Sequence, residues 1–429
     1  MRHRTIKRMR RLTLIILLAL YGFSIRAQEF VIVAHGPSKA DSLYYLGKEA
    51  FEARNYKKAI HDLELSTALD SSNVYGHYYL GYAYSRMNST GGNSLVNYSK
   101  DLCIKASREM EYVIRLDSAF GAELILSPYS KITSEWGSLA LSYLIRGKTD
   151  SAHWAFAEGK RRGGFSPYFL ASRKLMLEAC DTNAILFTAG DDNYWNLLYL
   201  QFHENIRKDI ALVELNLLKT PDYQGYLIDY KILDFQLPRL ENERLDYQIV
   251  RWSDTLIEIP VKNSNQTFHW HYQSAGSNPY MLNRGDLAMQ SIMISNHFMR
   301  DVYFTPGVAN ADTYFLFHNL EDRFFVLYLN PLGKGRPDNE TYNKAVNAVL
   351  DIIPLVNTNS EDERREITSI RIMILQRVYE DWSSEDNQEN ARYLMKLLET
   401  RLPTSKYPAY SKEVDNYYRT YKRIILEGY

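Results

Sequence analysis

The sequence lacks the motifs that usually identify an enzyme. No GxSxG, P-loop or GxGxxG stretch occurs, so the common fingerprints of serine hydrolases, nucleotide triphosphatases and dinucleotide-binding enzymes are missing. His203 and Glu204 are adjacent, but the second histidine of an HExxH zinc motif does not follow. We therefore assign no catalytic, metal-binding or cofactor-binding residue and expect no cofactor. Whether the chain is an enzyme stays open, and the missing motifs favour a non-catalytic role.

Cysteine is scarce, and a surplus of positive charge is also missing. Cys103 and Cys180 are the only cysteines, and neither has a CxxC or metal-ligand spacing. In an oxidising compartment they could pair and join two domains, or they could remain two buried free thiols, which we favour. Outside residues 1–27 the chain holds 44 basic against 51 acidic residues, a net charge of −7. This balance, without basic clusters, argues against nucleic-acid partners.

The N-terminus has the composition of an export signal. Six basic residues lie within the first eleven positions, an apolar run follows from Leu12 to Ile25, and Ala27 offers a small residue for cleavage. The run is short for a membrane span, which needs about 20 residues. Because no cysteine lies near the cleavage site, we do not expect a lipid-anchored lipoprotein. We expect residues 1–27 to be a signal peptide and the remaining chain to be soluble and periplasmic or extracellular, with an uncleaved anchor helix as the alternative.

Three stretches between residues 40 and 166 share one spacing of large and small residues. Leu46-Gly47, for example, is followed by Ala59 and Leu63. The small positions, at which paired helices would approach each other, are Gly47, Ala59, Gly81, Ala106, Ala140 and Ala152. The pattern resembles the tetratricopeptide repeat, which implies stacked helix pairs and a concave surface for a partner. We expect TPR-like repeats over residues 40–180; an irregular helical bundle without repeat ancestry is the alternative.

After Asp181 the hydrophobic pattern changes to that of an α/β domain, which we expect over residues 181–335. Apolar runs at 184–188 and 210–215 flank a helical stretch from Tyr194 to Arg207, the pattern of a βαβ unit with parallel strands. Further expected elements are a helix at 286–298 and strands at 301–305 and 324–329. Residues 336–429 form a C-terminal helical segment, with helices expected at 364–381, 387–402 and 411–425. The expected fold class is therefore α + α/β: a helical solenoid, a parallel sheet with helices, and C-terminal helices.

Two segments carry a second resemblance. The stretch ILFTAGDDNYWNLLYLQFHENIRKDIALVELNLLKTPDY (185–223) is similar to the soluble region that follows the membrane domain in the DUF2723 proteins of Bacteroidetes, which are related to protein O-mannosyltransferases. Residues 287–331 resemble a later segment of that region, although Arg300-Asp301-Val302-Tyr303-Phe304 lacks the proline of the family's RPIYF strand. The family's membrane helices and catalytic loop have no counterpart here. The resemblance therefore implies a shared exported domain and no mannosyl transfer.

Gly190-Asp191-Asp192-Asn193 is the one candidate ligand loop. It follows an expected parallel strand, and open α/β sheets bind ligands at the carboxyl ends of their strands. Two neighbouring carboxylates there could hold a divalent cation or contact a sugar hydroxyl. The simpler interpretation, which we favour, is that Asp191 or Asp192 caps the following helix and complements its dipole.

His269 and His271 would lie on one face of a strand, at a spacing that a metal site can use. No third ligand is near in sequence, so an exposed aromatic strand is the favoured interpretation.

Together these patterns favour an exported, non-catalytic TPR scaffold of the bacterial cell envelope, with a protein or peptide partner. The alternative is a glycan-recognising or carbohydrate-active protein that uses the Asp191-Asp192 loop.

Overall fold

The computed structural model describes residues 38–89, 95–236, 250–251, 256–262, 264–272, 281–308, 316, 318–333, 335 and 337–427. The expected signal peptide at 1–27 lies outside these residues. Lys39–Tyr429 forms one compact unit. Among the described residues, no helix has both the length and the apolar character needed to cross a membrane.

Seven helices make up the N-terminal part of the described chain. They are α1 (Lys39–Glu52), α2 (Tyr56–Leu69), α3 (Val74–Asn88), α4 (Lys100–Leu116), α5 (Pro128–Ile145), α6 (Thr149–Arg161) and α7 (Pro167–Ala179). Polar side chains fix several helix starts, because they accept hydrogen bonds from first-turn amides that lack a partner within the helix. Asn73 accepts from the Gly76 amide at 2.8 Å, and Ser166 accepts from the Phe169 amide at 3.1 Å.

These helices stack as a solenoid, as expected. α1 packs on α2, α3 on α4 and α5 on α6, and the successive pairs also contact each other. The small residues lie at the seams. A Cβ on Gly47 would come within 2.6 Å of Leu63 Cγ, and one on Gly81 within 2.6 Å of Met110 Cε. The other small positions are fully buried: Ala59, Ala106, Ala140 and Ala152.

The first helices of the second and third pairs are covered by other parts of the chain. The hydroxyls of Tyr78 and Tyr82, on α3, hydrogen-bond to the backbone of the segment Phe120–Ser127. On α5, a Cβ added to Gly137 would lie 2.6 Å from the Trp195 ring, so glycine is needed for this close approach. The concave surface that the repeat pattern predicts is therefore largely filled by the chain itself.

The α/β part is built on a five-stranded sheet with the order β2-β1-β7-β9-β8. Its strands are β1 (Ile185–Thr188), β2 (Ala211–Glu214), β7 (Val302–Phe304), β8 (Leu320–Asp322) and β9 (Leu327–Leu329). Its helices are α8 (Asp191–Leu198), which continues as a π turn at Tyr199–His203, α9 (Pro221–Asp229) and α10 (Arg284–Asn296). A 3₁₀ turn, Leu217–Lys219, links β2 to α9.

The βαβ prediction is confirmed. β1 pairs in parallel with β2, with Ile185 opposite Ala211, and in parallel with β7, with Ile185 opposite Val302. The sheet is mixed, however, since β9 runs antiparallel to β7 and to β8. The run at 324–329 does not form one strand because Phe324 has φ +71° and lies in the turn between β8 and β9.

Two small antiparallel pairs lie outside the main sheet. β3 (Val250–Arg251) pairs with β6 (Met281–Leu282), and β4 (Leu256–Pro260) pairs with β5 (Thr267–His271). The predicted strand that contains His269 and His271 is therefore present as β5.

The C-terminal part is helical, as predicted. Its helices are α11 (Asn339–Ile352), which the sequence analysis missed, α12 (Glu361–Trp382), α13 (Gln388–Arg401) and α14 (Lys412–Lys422), which ends in a π turn at Arg423–Glu427. Arg371 on α12 is fully buried and donates to the carbonyls of Leu402 and Tyr407. These bonds fix the chain that connects α13 to α14.

Arg300 holds the amino edge of the parallel strands together. Its guanidinium donates to the carbonyls of Asn183 at 2.7 Å, Ala184 at 3.0 Å, Ile232 at 3.1 Å and Asp209 at 3.3 Å. These carbonyls belong to the segments that lead into β1 and β2 and to the chain after α9. Arg300 lies just before β7, so this one side chain ties together the starts of three neighbouring strands.

Candidate functional site

The Gly190–Asn193 loop lies at the carboxyl end of β1, where the sequence predicted it. Gly190 has φ +91°, a backbone conformation that favours glycine, and it is the cap residue of α8. No side chain makes a capping hydrogen bond there. The expected side-chain cap from Asp191 or Asp192 is therefore wrong. Both side chains do lie in the first turn of α8, where the Asp191 carboxylate complements the helix dipole.

Asp191 is held by neighbouring side chains. Its Oδ1 accepts a hydrogen bond from Trp195 Nε1 at 2.6 Å, one turn along α8, and one from Ser134 Oγ of α5 at 3.3 Å. Asn193 donates back to the Ala189 carbonyl at 3.0 Å. These contacts anchor the loop on the helical array.

Asp192 faces a second acid across a serine hydroxyl. Ser130 Oγ, on α5, donates to Asp362 Oδ2 of α12 at 2.6 Å, and Ser127 Oγ donates to the same oxygen. Asp192 Oδ1 has no access to solvent and no hydrogen-bond partner. Burial, reinforced by the charge of Asp362, raises the pKa of Asp192 to about 8. A proton on Asp192 removes the repulsion between this side chain and the Asp362 carboxylate, so the two acids can lie close together.

An ion pair extends this acid cluster to α7. Arg173 is 3% exposed and donates from Nη1 to both carboxylate oxygens of Glu366 on α12, at 2.5 and 2.6 Å. Burial also raises the pKa of the neighbouring Glu363 to about 7. The group Asp192, Asp362, Ser130, Arg173 and Glu366 thus joins the helical array, the α/β part and the C-terminal helices. We call it the three-way joint.

Glu214, the last residue of β2, is a further buried acid at the carboxyl edge. Its Oε2 accepts from the Leu217 amide at 2.6 Å, and its Oε1 accepts from the Gly190 amide at 3.3 Å. Burial raises the pKa of Glu214 to about 7. Glu214 therefore fixes both the loop before α8 and the 3₁₀ turn after β2.

A cleft opens at the opposite, amino edge of the sheet, with a volume of about 410 Å³. Tyr194, Phe202, Tyr226 and Tyr230 supply aromatic walls. Its charged groups include Lys208, Asp209, Lys231 and Arg300. Arg300 is occupied by the carbonyls described above, and the Tyr230 hydroxyl donates to the Leu144 carbonyl at 2.8 Å. The lysine ammonium groups and the exposed face of the Tyr230 ring are therefore the groups that can meet a ligand.

The βαβ unit with its flanking helices is the part of the chain that comparison with known families identifies. Residues 170–228 match the TMEM260-associated domain 2. This family is related to protein O-mannosyltransferase-like proteins. The matched range includes Arg173, the Gly190–Asn193 loop and Glu214, together with most of the cleft. A search of curated proteins found no match.

His269 and His271 both lie on the exposed face of β5, whereas Trp270 between them is 1% exposed. His269 Nδ1 is 3.5 Å from Glu258 Oε1, its partner on β4. No group of three or more histidine, cysteine or carboxylate side chains is arranged to hold a metal ion in the described part of the chain.

The sequence analysis missed a histidine pair. Nδ1 of His153 on α6 lies 3.2 Å from Nδ1 of His203, at the end of the π turn after α8. Burial, together with the charge that His153 can carry, lowers the pKa of His203. The two residues are 50 positions apart, and only the packing of α6 against the π turn brings them together.

Cys103 and Cys180 are both free and buried. The Cys103 thiol donates to the Glu135 carbonyl at 3.5 Å, and the Cys180 thiol donates to the Met176 carbonyl at 3.4 Å. Burial raises the pKa of the Cys180 thiol to about 12 and that of Cys103 well above its usual value. The sequence left open a disulfide or two free thiols, and the structure has two free thiols.

Proposed function

We propose that this chain is an exported, non-catalytic scaffold of the bacterial cell envelope that binds a protein partner through its helical array. The array would descend from tetratricopeptide repeats. Residues 181–400 would descend from the exported region of the mannosyltransferase-related proteins named above. Three features support the proposal: the signal-like N-terminus, the stacked helix pairs with small residues at their seams, and the family match at residues 170–228.

One observation suggests where the partner binds. Leu65 and Leu69 on α2 occupy the same repeat positions as Tyr112 and Leu116 on α4. All four are exposed, at 44%, 56%, 39% and 43%. Large apolar side chains that stay exposed at equivalent positions of adjacent repeats are candidates for a protein interface, since exposed apolar surface is common there. We call these four side chains the outer patch. It is open, whereas the chain itself fills much of the expected concave surface.

The test is affinity capture from envelope extracts with the full exported chain. A protein retained in stoichiometric amount by the wild type should be lost by the quadruple variant Leu65→Gln, Leu69→Gln, Tyr112→Gln, Leu116→Gln. The matched control is Leu332→Gln with Leu355→Gln, which removes apolar side chains that are 60% and 47% exposed elsewhere. A partner retained equally by all three proteins would exclude the outer patch.

A glycan-recognising protein remains the second candidate, with a different location for its site. Asp191 Oδ1 already accepts hydrogen bonds from Trp195 and Ser134, and Asp192 Oδ1 has no access to solvent, so neither oxygen is free to bind a sugar hydroxyl. The cleft at the amino edge fits better, because Tyr230 is 46% exposed beside Tyr226 at a ring distance of 5.1 Å. Aromatic faces flanked by polar groups suit sugar rings. Enrichment of an envelope glycan by the wild type but not by Tyr230→Ala would favour this candidate.

A further inference from the structure

Arg284 is a buried cation, and two of its nitrogen atoms have no acceptor in the described part of the chain. It is the first residue of α10 and is 6% exposed, and its Nε and Nη2 atoms have no hydrogen-bond partner among the residues that the structure describes. A guanidinium is always charged, and burying such a charge without a partner is costly. Buried polar groups in folded proteins almost always have a partner, so an unpaired one requires an explanation.

The nearest carboxylate along the helix is already engaged. Asp286 Oδ1 accepts the Tyr272 hydroxyl at 2.8 Å, and Asp286 Oδ2 accepts the Asn283 amide at 2.8 Å. Asn283 Oδ1 in turn accepts from the amides of Gly285 and Asp286. This capping box fixes the start of α10 and uses the local acceptors. Arg284 is left with the positive end of the helix dipole beside it.

A second cation belongs to the adjoining turn. A Cβ on Gly285 would lie 2.9 Å from Lys219 Cγ and 3.4 Å from the Lys219 amide nitrogen, so the Leu217–Lys219 turn packs directly on the start of α10. Glu214 holds this turn in place through the Leu217 amide. Lys219 forms no ion pair with any residue that the structure describes.

We propose that Arg284 and Lys219 form a binding site for a phosphate group, at the carboxyl edge of the parallel strands. A guanidinium can donate two parallel hydrogen bonds to phosphate oxygens, and an ammonium adds a point charge. The ligand class is therefore a phosphorylated small molecule or a phosphorylated glycan headgroup. The site does not depend on the outer patch or on the amino-edge cleft.

The experiment is calorimetric titration of the full exported chain with inorganic phosphate, with sodium acetate as the second titrant at matched ionic strength. We expect saturable binding of phosphate and weaker binding of acetate. Arg284→Gln should weaken phosphate binding by about tenfold or more, since hydrogen bonds to charged groups contribute about 1.5–3 kcal/mol. Lys219→Gln should weaken it by a smaller factor. Arg161→Gln, at an exposed position of α6, is the control and should bind like the wild type.

Circular dichroism establishes which variants fold. If Arg284→Gln does not fold, Lys219→Gln is used to test the site, because Lys219 is only half-buried and its replacement should leave the fold intact. Three results would overturn the proposal: no saturable phosphate binding to the wild type, which would leave ordered water as the partner of Arg284; equal affinity for acetate; or phosphate binding that no variant at the site changes.

Discussion

The Tyr82 hydroxyl accepts a hydrogen bond from the Leu126 amide at 2.7 Å and donates one to the Leu126 carbonyl at 3.1 Å. The Tyr78 hydroxyl repeats this arrangement one turn earlier, with the Leu124 amide at 3.2 Å and the same Leu126 carbonyl at 2.8 Å. Two tyrosines of one helix thus bind the backbone of an irregular segment, and the Tyr78 ring also packs against the Phe120 side chain at a ring distance of 5.1 Å. The segment Phe120–Ser127 lies against α3, the first helix of the second repeat, in the way that an extended ligand would.

The first prediction tests this contact. Tyr82→Phe should lower the free energy of unfolding by about 1 kcal/mol, because it leaves the partly buried Leu126 amide without its acceptor. Hydrogen exchange should speed up at Leu126 and stay unchanged in α2. Tyr129→Phe is the control, since its hydroxyl contacts an exposed carbonyl, and it should change the free energy by no more than about 0.5 kcal/mol. Unchanged exchange at Leu126 would show that the hydroxyl does not hold the segment.

The second prediction concerns the repeat seams. Ala59→Leu and Ala152→Leu should each lower stability by about 1–3 kcal/mol, because both positions are fully buried between paired helices and a larger side chain forces them apart. Ala53→Leu, at an exposed position after α1, is the control. Thermal unfolding followed by circular dichroism measures all three. If Ala59→Leu and Ala152→Leu melt like the wild type, the assigned repeat register is wrong.

The third prediction uses the ion pair of the three-way joint. Glu366→Ala should lower the free energy of unfolding by about 3–5 kcal/mol, because it leaves the Arg173 guanidinium buried without its partner. The double variant Arg173→Met, Glu366→Met should lose less than the single variant, since it removes both charges together. Denaturant unfolding of the double variant and of the single variants Arg173→Met and Glu366→Met gives the coupling energy. Strictly additive losses would mean that the pair is not coupled.

The fourth prediction is a pH dependence that Asp192 controls. Its pKa in the folded protein, about 8, lies above the value of about 3.9 for an unfolded aspartate. Between these two pH values the folded state binds a proton that the unfolded state has released. The stability that this proton contributes is therefore fully present below a pH of about 3.9 and is lost as the pH rises through about 8. Asp192→Asn, which mimics the protonated acid, should be more stable than the wild type at pH 9 by on the order of 1–4 kcal/mol.

The matched control for this experiment is Asp150→Asn. Asp150 also occupies the second position of a helix, α6, but it is exposed. Urea unfolding from pH 5 to pH 9 should show the same slope for Asp150→Asn as for the wild type and a flatter one for Asp192→Asn. Parallel profiles for all three proteins would contradict the assignment of the proton to Asp192.

The fifth prediction concerns the histidine pair. Two facing Nδ1 atoms 3.2 Å apart can share one proton, whereas two protonated rings would repel each other. Because the pKa of His203 is lowered, its contribution to stability is present above the unfolded value of about 6.5 and is lost as the pH falls below it. Proton NMR should show His203 titrating below the usual value for histidine, and His153→Gln should raise the pKa of His203. An unchanged His203 titration in that variant would exclude the coupling.

Local patterns were enough to predict most of the elements. The apolar runs at 184–188 and 210–215 gave the parallel pair, because buried parallel strands are continuously hydrophobic. The split of 324–329 into a turn and a short strand was not predictable in the same way, since it depends on the positive φ of Phe324 and on pairing with β8. The missed helix α11 lies in a polar stretch that contains three asparagines.

The site was harder to predict, because its contacts are distant in sequence. The Gly190–Asn193 loop was located correctly at the end of β1, but the partners of Asp192 come from helices α5 and α12. Ser130 and Asp362 are 232 positions apart, and no local pattern brings them together. The same limit applies to His153 with His203. Burial, not residue type, makes Asp192 and Glu214 unusual acids, and burial follows from the complete fold.

Arg300 is synthesised after β1 and β2, so the starts of these strands can be joined only late in synthesis. Its contacts with the segments before β1 and β2 span up to 117 positions, so the parallel strands emerge from the ribosome long before the residue that joins their starts. After residues 170–228, the stretch that matches the family, have been synthesised, the sheet therefore stays incomplete while more than seventy further residues are made. Throughout that interval the open edge of β1, which β7 later covers, is exposed to pairing with other chains.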